Sequence, residues 1–139
     1  MKNKNSKISS WKKIWNNRKI VLKDNNSVLA KLMTLNGHSY SINDIKKNNW
    51  KEYGKNISLK LDIKKNESIF EYGCGSGALL FLFKSKTKNL FGCDYSKELV
   101  NASKKLAPQL KIFLSEGEKY KSSKTYDYVI SSSMLEYVK

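Results

Sequence analysis

The sequence predicts an α/β protein with a doubly wound parallel sheet of about four strands, preceded by an N-terminal helical cap. Apolar residues recur at helical spacing in residues 1–66, whereas after residue 66 short apolar runs of strand type alternate with helical segments. A glycine-rich turn follows the first of these runs. Strands separated by helices pair in parallel through right-handed crossovers, so these observations together predict the layered fold.

Three helices are predicted in residues 1–66. The first starts after Ser9 or Ser10, the second follows a turn at residues 24–27 and stops at Asn36, and the third covers about residues 43–61. Each carries an apolar stripe that needs a surface to pack against. We therefore expect this basic segment to form one unit that packs on the core.

Four strands are predicted in the second unit, residues 67–139. They cover residues 68–72, 90–94, 111–114 and 126–131. The helix after the first strand begins at Ala78 and ends near residues 84–88, and the next helix begins after Ser96, a residue type that is typical of N-caps.

The glycine-rich turn, Gly73-Cys74-Gly75-Ser76-Gly77, joins the first strand to its helix. Glycines let the backbone turn sharply and approach a ligand closely, and a helix N-terminus presents free N–H groups. The second strand ends at Asp94, 21 residues after Gly73. An acid at this spacing accepts hydrogen bonds from the ribose hydroxyls of a nucleoside, so the pair predicts a nucleoside-containing cofactor.

Two cofactor classes fit this turn. With Ala78 in the third small position, it matches the dinucleotide pattern of NAD-binding proteins. However, Glu71 lies two residues before the first glycine, where a carboxylate would repel a pyrophosphate. A carboxylate there suits a ligand that carries an ammonium and a sulfonium, which favours S-adenosylmethionine over a nicotinamide cofactor.

Four segments resemble the motifs of class I S-adenosylmethionine-dependent methyltransferases. Residues 70–77 are similar to the first motif, residues 92–96 to the second, residues 114–118 to the third, and residues 126–135 to the segment of the fourth strand. The resemblance covers residues 67–139 and implies a Rossmann-like fold with S-adenosylmethionine as cofactor. Two positions depart from the pattern, because Glu116 stands where relatives more often have Asp, and Glu136-Tyr137 stand where many have a histidine pair.

The resemblance also implies which residues bind the cofactor. Asp94 would hold the ribose, Tyr95 would pack on the adenine, and Glu116 would face the adenine amino group. The full predicted set is Glu71, Gly73, Cys74, Gly75, Gly77, Asp94, Tyr95, Glu116, Gly117 and Ser132.

Several other residues receive a structural interpretation. Cys74 is expected to contribute backbone rather than a catalytic thiol, and Cys93 is expected to be a buried strand residue. His38 is interpreted as a turn residue, Asp127 as positioning the start of a strand, and Trp50 with Tyr53 as packing residues.

The predicted activity is methyl transfer from S-adenosylmethionine to a small-molecule acceptor. No residue is identified as a general base, and the two cysteines lack the spacing of metal ligands, so no metal site is predicted. The alternatives are a non-catalytic, truncated remnant, a basic nucleic-acid-associated module and an NAD-binding oxidoreductase. Because the sequence stops soon after the fourth strand, we expect a missing C-terminal segment or a partner to complete the sheet.

The basic charge is concentrated in residues 1–66, which carry a net charge of +12 against +3 for residues 67–139. Arg18 is the one arginine among 27 basic residues, although arginine is best suited to bidentate phosphate recognition. We therefore expect a solvated surface and no specific nucleic-acid partner. We also expect no transmembrane helix, because no apolar run reaches about 18 residues. The two cysteines favour a reducing, cytoplasmic setting.

Overall fold

The computed structural model describes residues 13–15, 17, 22–38, 43–116, 119–132 and 134. Residues 13–15 are helical and residue 17 lies in a bend, whereas the other residues of the first predicted helix lie outside the described residues. The remaining elements are, in order, α1 (Val28–Leu35), α2 (Asn43–Leu61), β1 (Ser68–Tyr72), α3 (Ala78–Leu82), β2 (Asn89–Asp94), α4 (Lys97–Leu106), β3 (Lys111–Leu114) and β4 (Tyr128–Ser131).

The four strands form one parallel sheet in the order β3-β2-β1-β4. The register aligns Phe70 with Phe91 across β1 and β2, and with Val129 across β1 and β4. After β3 the chain crosses to the far side of β1, which is the strand order of a doubly wound sheet. The predicted fold class is confirmed.

The two faces of the sheet are covered differently. Ile69, Leu90 and Ile112 lie in the main hydrophobic core with residues of α1, α3 and α4. The opposite face carries Phe70 and Phe91, which pack with Cys93 and with tyrosines of residues 120–126. Because alternate strand residues point to opposite faces, one sheet supplies both layers.

Helix caps follow the predicted turns. The Ser27 hydroxyl accepts a hydrogen bond from the Ala30 N–H at 3.3 Å at the start of α1, and the Ser96 hydroxyl accepts one from the Leu99 N–H at 3.4 Å at the start of α4. The stop of α1 at Asn36 is also confirmed, because Asn36 is its C-cap.

Three boundaries differ from the prediction, and the smallest difference is that β2 begins at Asn89 rather than residue 90. Helix α3 ends at Leu82 rather than near residues 84–88, because the chain continues in tight turns with hydrogen bonds such as Lys86 N–H to the Phe83 carbonyl. Strand β4 begins at Tyr128 rather than residue 126. The Asp127 carboxylate accepts hydrogen bonds from the N–H and the hydroxyl of Ser68, both at 2.7 Å, and thereby fixes the start of β4 beside β1. This confirms the strand-positioning role predicted for Asp127.

Helix α2 approaches α3 closely at Gly54. A Cβ at this position would overlap the Leu82 side chain, which explains a glycine inside a helix where it lowers intrinsic helix propensity. No helix in the described part of the chain is long and apolar enough to cross a membrane.

Candidate cofactor site

The glycine-rich loop lies at the carboxyl end of β1. Gly73, Gly75 and Gly77 have φ values of 65°, 57° and 81°, a region that residues with a Cβ rarely adopt. The Cys74 N–H donates a hydrogen bond of 3.1 Å to the Cys93 carbonyl and so attaches the loop to β2. The predicted loop glycines are therefore required by backbone conformation.

Asp94, at the end of β2, holds the loop through its carboxylate. One oxygen accepts a hydrogen bond from the Gly75 N–H and the other accepts one from the Ser96 N–H, each at 2.8 Å. Burial raises the pKa of Asp94, and these backbone donors oppose the rise because they favour the charged form. Each carboxylate oxygen has two lone pairs, so acceptor capacity remains for ligand hydroxyls.

Glu71 is buried on β1, with 3% of its surface exposed. Burial, followed by the nearby charge of Asp94, raises the pKa of Glu71 from 4.5 to about 8, while a backbone hydrogen bond from Leu80 opposes the rise. Burial thus disfavours the charged form of Glu71, and the repulsion of a pyrophosphate expected from that charge stays a prediction. Its Oε2 atom is buried and has no hydrogen-bond partner, so the side chain retains an unused acceptor.

A cleft opens between the ends of β2 and β3. Its lining residues are Tyr95, Lys97, Glu98, Leu114, Ser115 and Glu116. The Ser115 N–H donates to the Asp94 carbonyl at 2.9 Å, which joins the two strand ends below the cleft. Glu116 forms an ion pair with Lys119 at 2.6 Å. Tyr95 and Glu116, 21 positions apart in the sequence, thus line one cleft next to Asp94.

The other predicted site residues lie around the loop or outside the described residues. Ser132 follows the carboxyl end of β4, which pairs with β1, and Gly117 lies outside the described residues. The Cys74 thiol is buried, and burial raises its pKa well above the ordinary value, which disfavours the reactive thiolate form. Cys93 is a fully buried strand residue, as predicted.

Asn36 and Ser76 were not among the predicted site residues. The Asn36 side chain accepts a hydrogen bond from the Ser76 N–H at 2.7 Å and donates one to the Cys74 carbonyl at 3.3 Å. The Ser76 hydroxyl donates to the Leu32 carbonyl at 2.7 Å. The sequence identified Asn36 only as a helix stop, because no local pattern indicates a contact between residues 40 positions apart.

The aromatic residues near the end of α1 pack together. His38 follows the turn at the end of α1 and contacts Trp50, with ring centroids 4.7 Å apart, and Trp50 contacts Tyr53 at 5.5 Å. Trp50 also packs against the main core, as predicted, whereas Tyr53 is 44% exposed. Within the described ranges there is no group of three or more His, Cys, Asp or Glu residues that could hold a metal ion.

Comparison with known proteins decides the family. The profile of a family described as "Methyltransferase domain" matches residues 69–139, which is more than half of the chain. The chain belongs to this methyltransferase family. The family that the four motifs resembled is therefore confirmed, and the matched residues of this methyltransferase domain include the glycine loop, Asp94 and the cleft.

Known relatives agree with this assignment. The chain is 32% identical over 87 residues to a probable (S)-tetrahydroprotoberberine N-methyltransferase 2 of Papaver bracteatum, covering 58% of this chain and 24% of the relative. Its fold is similar to that of a methyltransferase from Thiobacillus denitrificans solved with S-adenosylhomocysteine, with a TM-score of 0.52, 18% identity, and 63% and 38% of the two chains covered.

A second similar structure is the amino pentose methyltransferase CalS10 of Micromonospora echinaspora, with a TM-score of 0.53, 14% identity, and 68% and 44% of the two chains covered. The chain therefore spans about a quarter of the length of the curated relative and less than half of the length of these solved structures.

Proposed function

We propose that the chain binds S-adenosylmethionine at the carboxyl ends of β1 and β2, and that it is the cofactor-binding portion of a methyltransferase for a small-molecule acceptor. The observation that carries the proposal is the meeting of three features at one sheet edge. These are the glycine loop, Asp94, and the cleft lined by Tyr95 and Glu116.

The residues present fit this cofactor. The buried, unpartnered Oε2 of Glu71 is an acceptor for an ammonium, and a nearby cation would lower the pKa of Glu71 and restore its charge. Asp94 would hold the ribose hydroxyls, Tyr95 would pack on the adenine, and Glu116 with Gly117 would face its amino group. The loop residues Gly73, Cys74, Gly75 and Gly77, with Ser132 beyond β4, complete the proposed contacts.

When bound, S-adenosylmethionine would supply an electrophilic methyl group, which would pass to the acceptor as the carbon–sulfur bond breaks and neutral S-adenosylhomocysteine is left. The contribution of this chain would be to hold the donor, because positioning alone accounts for much of the rate of such a displacement. We assign no general base to any residue of the described part of the chain. The proposal of a small-molecule acceptor draws support from the name of the Papaver relative, which is an N-methyltransferase.

The organisation of the chain is part of the proposal. Residues 1–66 form a helical unit that packs on the core, and residues 67–139 form the cofactor-binding unit. Both cysteines are free and buried, which is compatible with the reducing, cytoplasmic setting that we propose. No specific nucleic-acid partner is proposed.

The test compares two aspartates at opposite edges of the sheet. Asp94 accepts two backbone hydrogen bonds at the carboxyl edge, and Asp127 accepts two hydrogen bonds from Ser68 at the amino edge. Both Asp94→Ala and Asp127→Ala are expected to lower stability. Only Asp94→Ala is expected to weaken S-adenosylhomocysteine binding, by roughly 1–3 kcal/mol, because it also removes charge-assisted hydrogen bonds to the ribose.

Calorimetric titration measures these affinities, with NAD titrated in parallel. Wild-type protein that binds S-adenosylhomocysteine more tightly than NAD supports the proposal. Tighter binding of NAD, or equal loss of affinity in both aspartate variants, contradicts it.

A further inference from the structure

The glycine loop is bound to the end of α1 by three hydrogen bonds. The Asn36 side-chain amide accepts one from the Ser76 N–H and donates one to the Cys74 carbonyl, and the Ser76 hydroxyl donates the third to the Leu32 carbonyl. Ser76 and Cys74 are almost completely buried. The contacts join residues 38 to 44 positions apart, so they attach the helical N-terminal unit directly to the loop.

The loop is held from two sides at the Gly75–Ser76 peptide. On one side Asp94 accepts the Gly75 N–H at 2.8 Å, and on the other Asn36 accepts the Ser76 N–H at 2.7 Å. A Cβ on Gly75 would overlap the Asn36 Oδ1 atom. Gly75 thus allows Asn36 to approach the loop backbone, in addition to adopting a left-handed φ.

We propose that Asn36 is a positioning residue for cofactor binding, and that it couples the folding of α1 to the occupancy of the loop. This inference rests on the proposed function. Asn36 acts through the loop rather than on the reacting atoms, because its amide fixes the Cys74 carbonyl and the Ser76 N–H in the orientation that places Gly75 beside Asp94.

The physical reason is preorganisation. A loop with three left-handed glycines has wide conformational freedom, and a ligand that needs one conformation binds with an affinity reduced by the population of that conformation. The two hydrogen bonds from Asn36 raise this population before the ligand arrives. By reciprocity, a ligand that selects the ordered loop must stabilise the Asn36 contacts and thus the last turn of α1.

The experiment compares Asn36→Ala with Thr34→Ala in the full chain. Thr34 lies on the same helix two residues earlier, and its hydroxyl donates at 3.0 Å to the Ala30 carbonyl of the helix itself. Each variant therefore loses side-chain hydrogen bonds near the end of α1, but only Asn36→Ala loses contacts with the loop. Affinity for S-adenosylhomocysteine is measured by calorimetry, and protection of residues 28–36 by hydrogen exchange with and without this ligand.

We expect Asn36→Ala to weaken S-adenosylhomocysteine binding about tenfold, which corresponds to the loss of two hydrogen bonds. In wild-type protein and in Thr34→Ala the ligand should slow exchange in residues 28–36, and in Asn36→Ala this slowing should disappear. Thr34→Ala should keep the wild-type affinity within about twofold. A purely structural Asn36 would lower the unfolding temperature without changing either readout in the folded protein.

Three further outcomes are decisive. If Asn36→Ala does not fold, Asn36→Asp is measured instead, because it keeps the acceptor for the Ser76 N–H and loses the donor to the Cys74 carbonyl. It should weaken binding about threefold, and unchanged affinity overturns the inference. Equal affinities in wild-type protein and Asn36→Ala overturn the inference alone. Wild-type protein that binds no S-adenosylhomocysteine overturns the proposed function, and the inference with it.

Discussion

Replacement of Glu71 by Gln should stabilise the ligand-free protein at neutral and alkaline pH. Glu71 is buried, and its pKa is raised from 4.5 to about 8 by burial and by the charge of Asp94. Ionisation of Glu71 is therefore less favourable in the folded state than in the unfolded state. Gln has a similar shape to the protonated acid and cannot ionise, so Glu71→Gln removes this destabilising contribution.

The direction and the size of the pH effect on the free energy of unfolding follow from the linkage between protonation and folding. Between pH 4.5 and about 8 the folded protein binds a proton at Glu71 that the unfolded chain releases. The stability that the protonated acid contributes is therefore fully present below pH 4.5, and it is lost as the pH rises through about 8. At about 1.4 kcal/mol for each pH unit, the whole change is about 5 kcal/mol, of which about 3 kcal/mol is lost by pH 7. The raised pKa of Asp94 acts in the same direction, so Glu71→Gln should flatten the pH dependence without abolishing it.

Urea denaturation at about pH 5 and about pH 8 measures the free energy of unfolding of both proteins. We expect Glu71→Gln to differ little from wild type at pH 5 and to be several kcal/mol more stable at pH 8. Glu52→Gln, at an exposed position of α2, is the matched control and should follow wild type at both pH values. The reasoning would be refuted if Glu71→Gln and wild type differed in free energy of unfolding by the same amount at pH 5 and at pH 8.

Two further predictions concern the loop and the basic surface. Gly73→Ala should lower the free energy of unfolding by roughly 1–3 kcal/mol in urea denaturation, because φ is 65° and a Cβ would overlap the Met134 side chain. Gly37→Ala, with φ of 92° at the end of α1, is the control for backbone strain alone, and an equal loss there would show that Met134 moves aside. Duplex DNA should bind only weakly, with log affinity falling linearly with log salt and no measurable binding in fluorescence anisotropy at about 150 mM salt. Submicromolar, salt-resistant binding would instead favour a nucleic-acid function.

The fold was predictable because its signals are local. The bounds of β1 and β3 agree with the prediction, since each is a short apolar run between turn residues. The start of β4 was placed too early because Tyr126 reads as a strand residue. In the structure its ring lies in an aromatic cluster, 4.8 Å from that of Phe70, and Asp127 fixes where pairing begins. Tertiary contacts of this kind override strand propensity.

The candidate site was predictable only in part. Gly73, Gly75 and Asp94 stand out because their spacing along the chain reflects the geometry of strand, turn and helix. The contacts of Asn36 depend on how α1 packs beside the loop, and nothing near residue 36 indicates which distant backbone groups its amide will meet. The raised pKa of Glu71 is likewise not predictable from the sequence, since it depends on burial and on the nearby charge of Asp94 rather than on residue type.

The buried acids at the loop give a physical reason to prefer a cofactor-binding chain over an inert remnant. In a chain that bound no cation, Glu71 would contribute only a destabilising group with an unused acceptor, and the Asp94 charge beside it would add to that effect. An ammonium within reach would make the contribution of Glu71 to stability favourable, because it favours the ionised form of Glu71 and gives the unused acceptor a charge-assisted hydrogen bond. Locally unfavourable groups of this kind are commonly found at functional sites, where a ligand supplies the missing partner and the surrounding structure compensates for the cost. We propose that Asn36 and Ser76 support the glycine loop in this way, through their hydrogen bonds between the loop and α1.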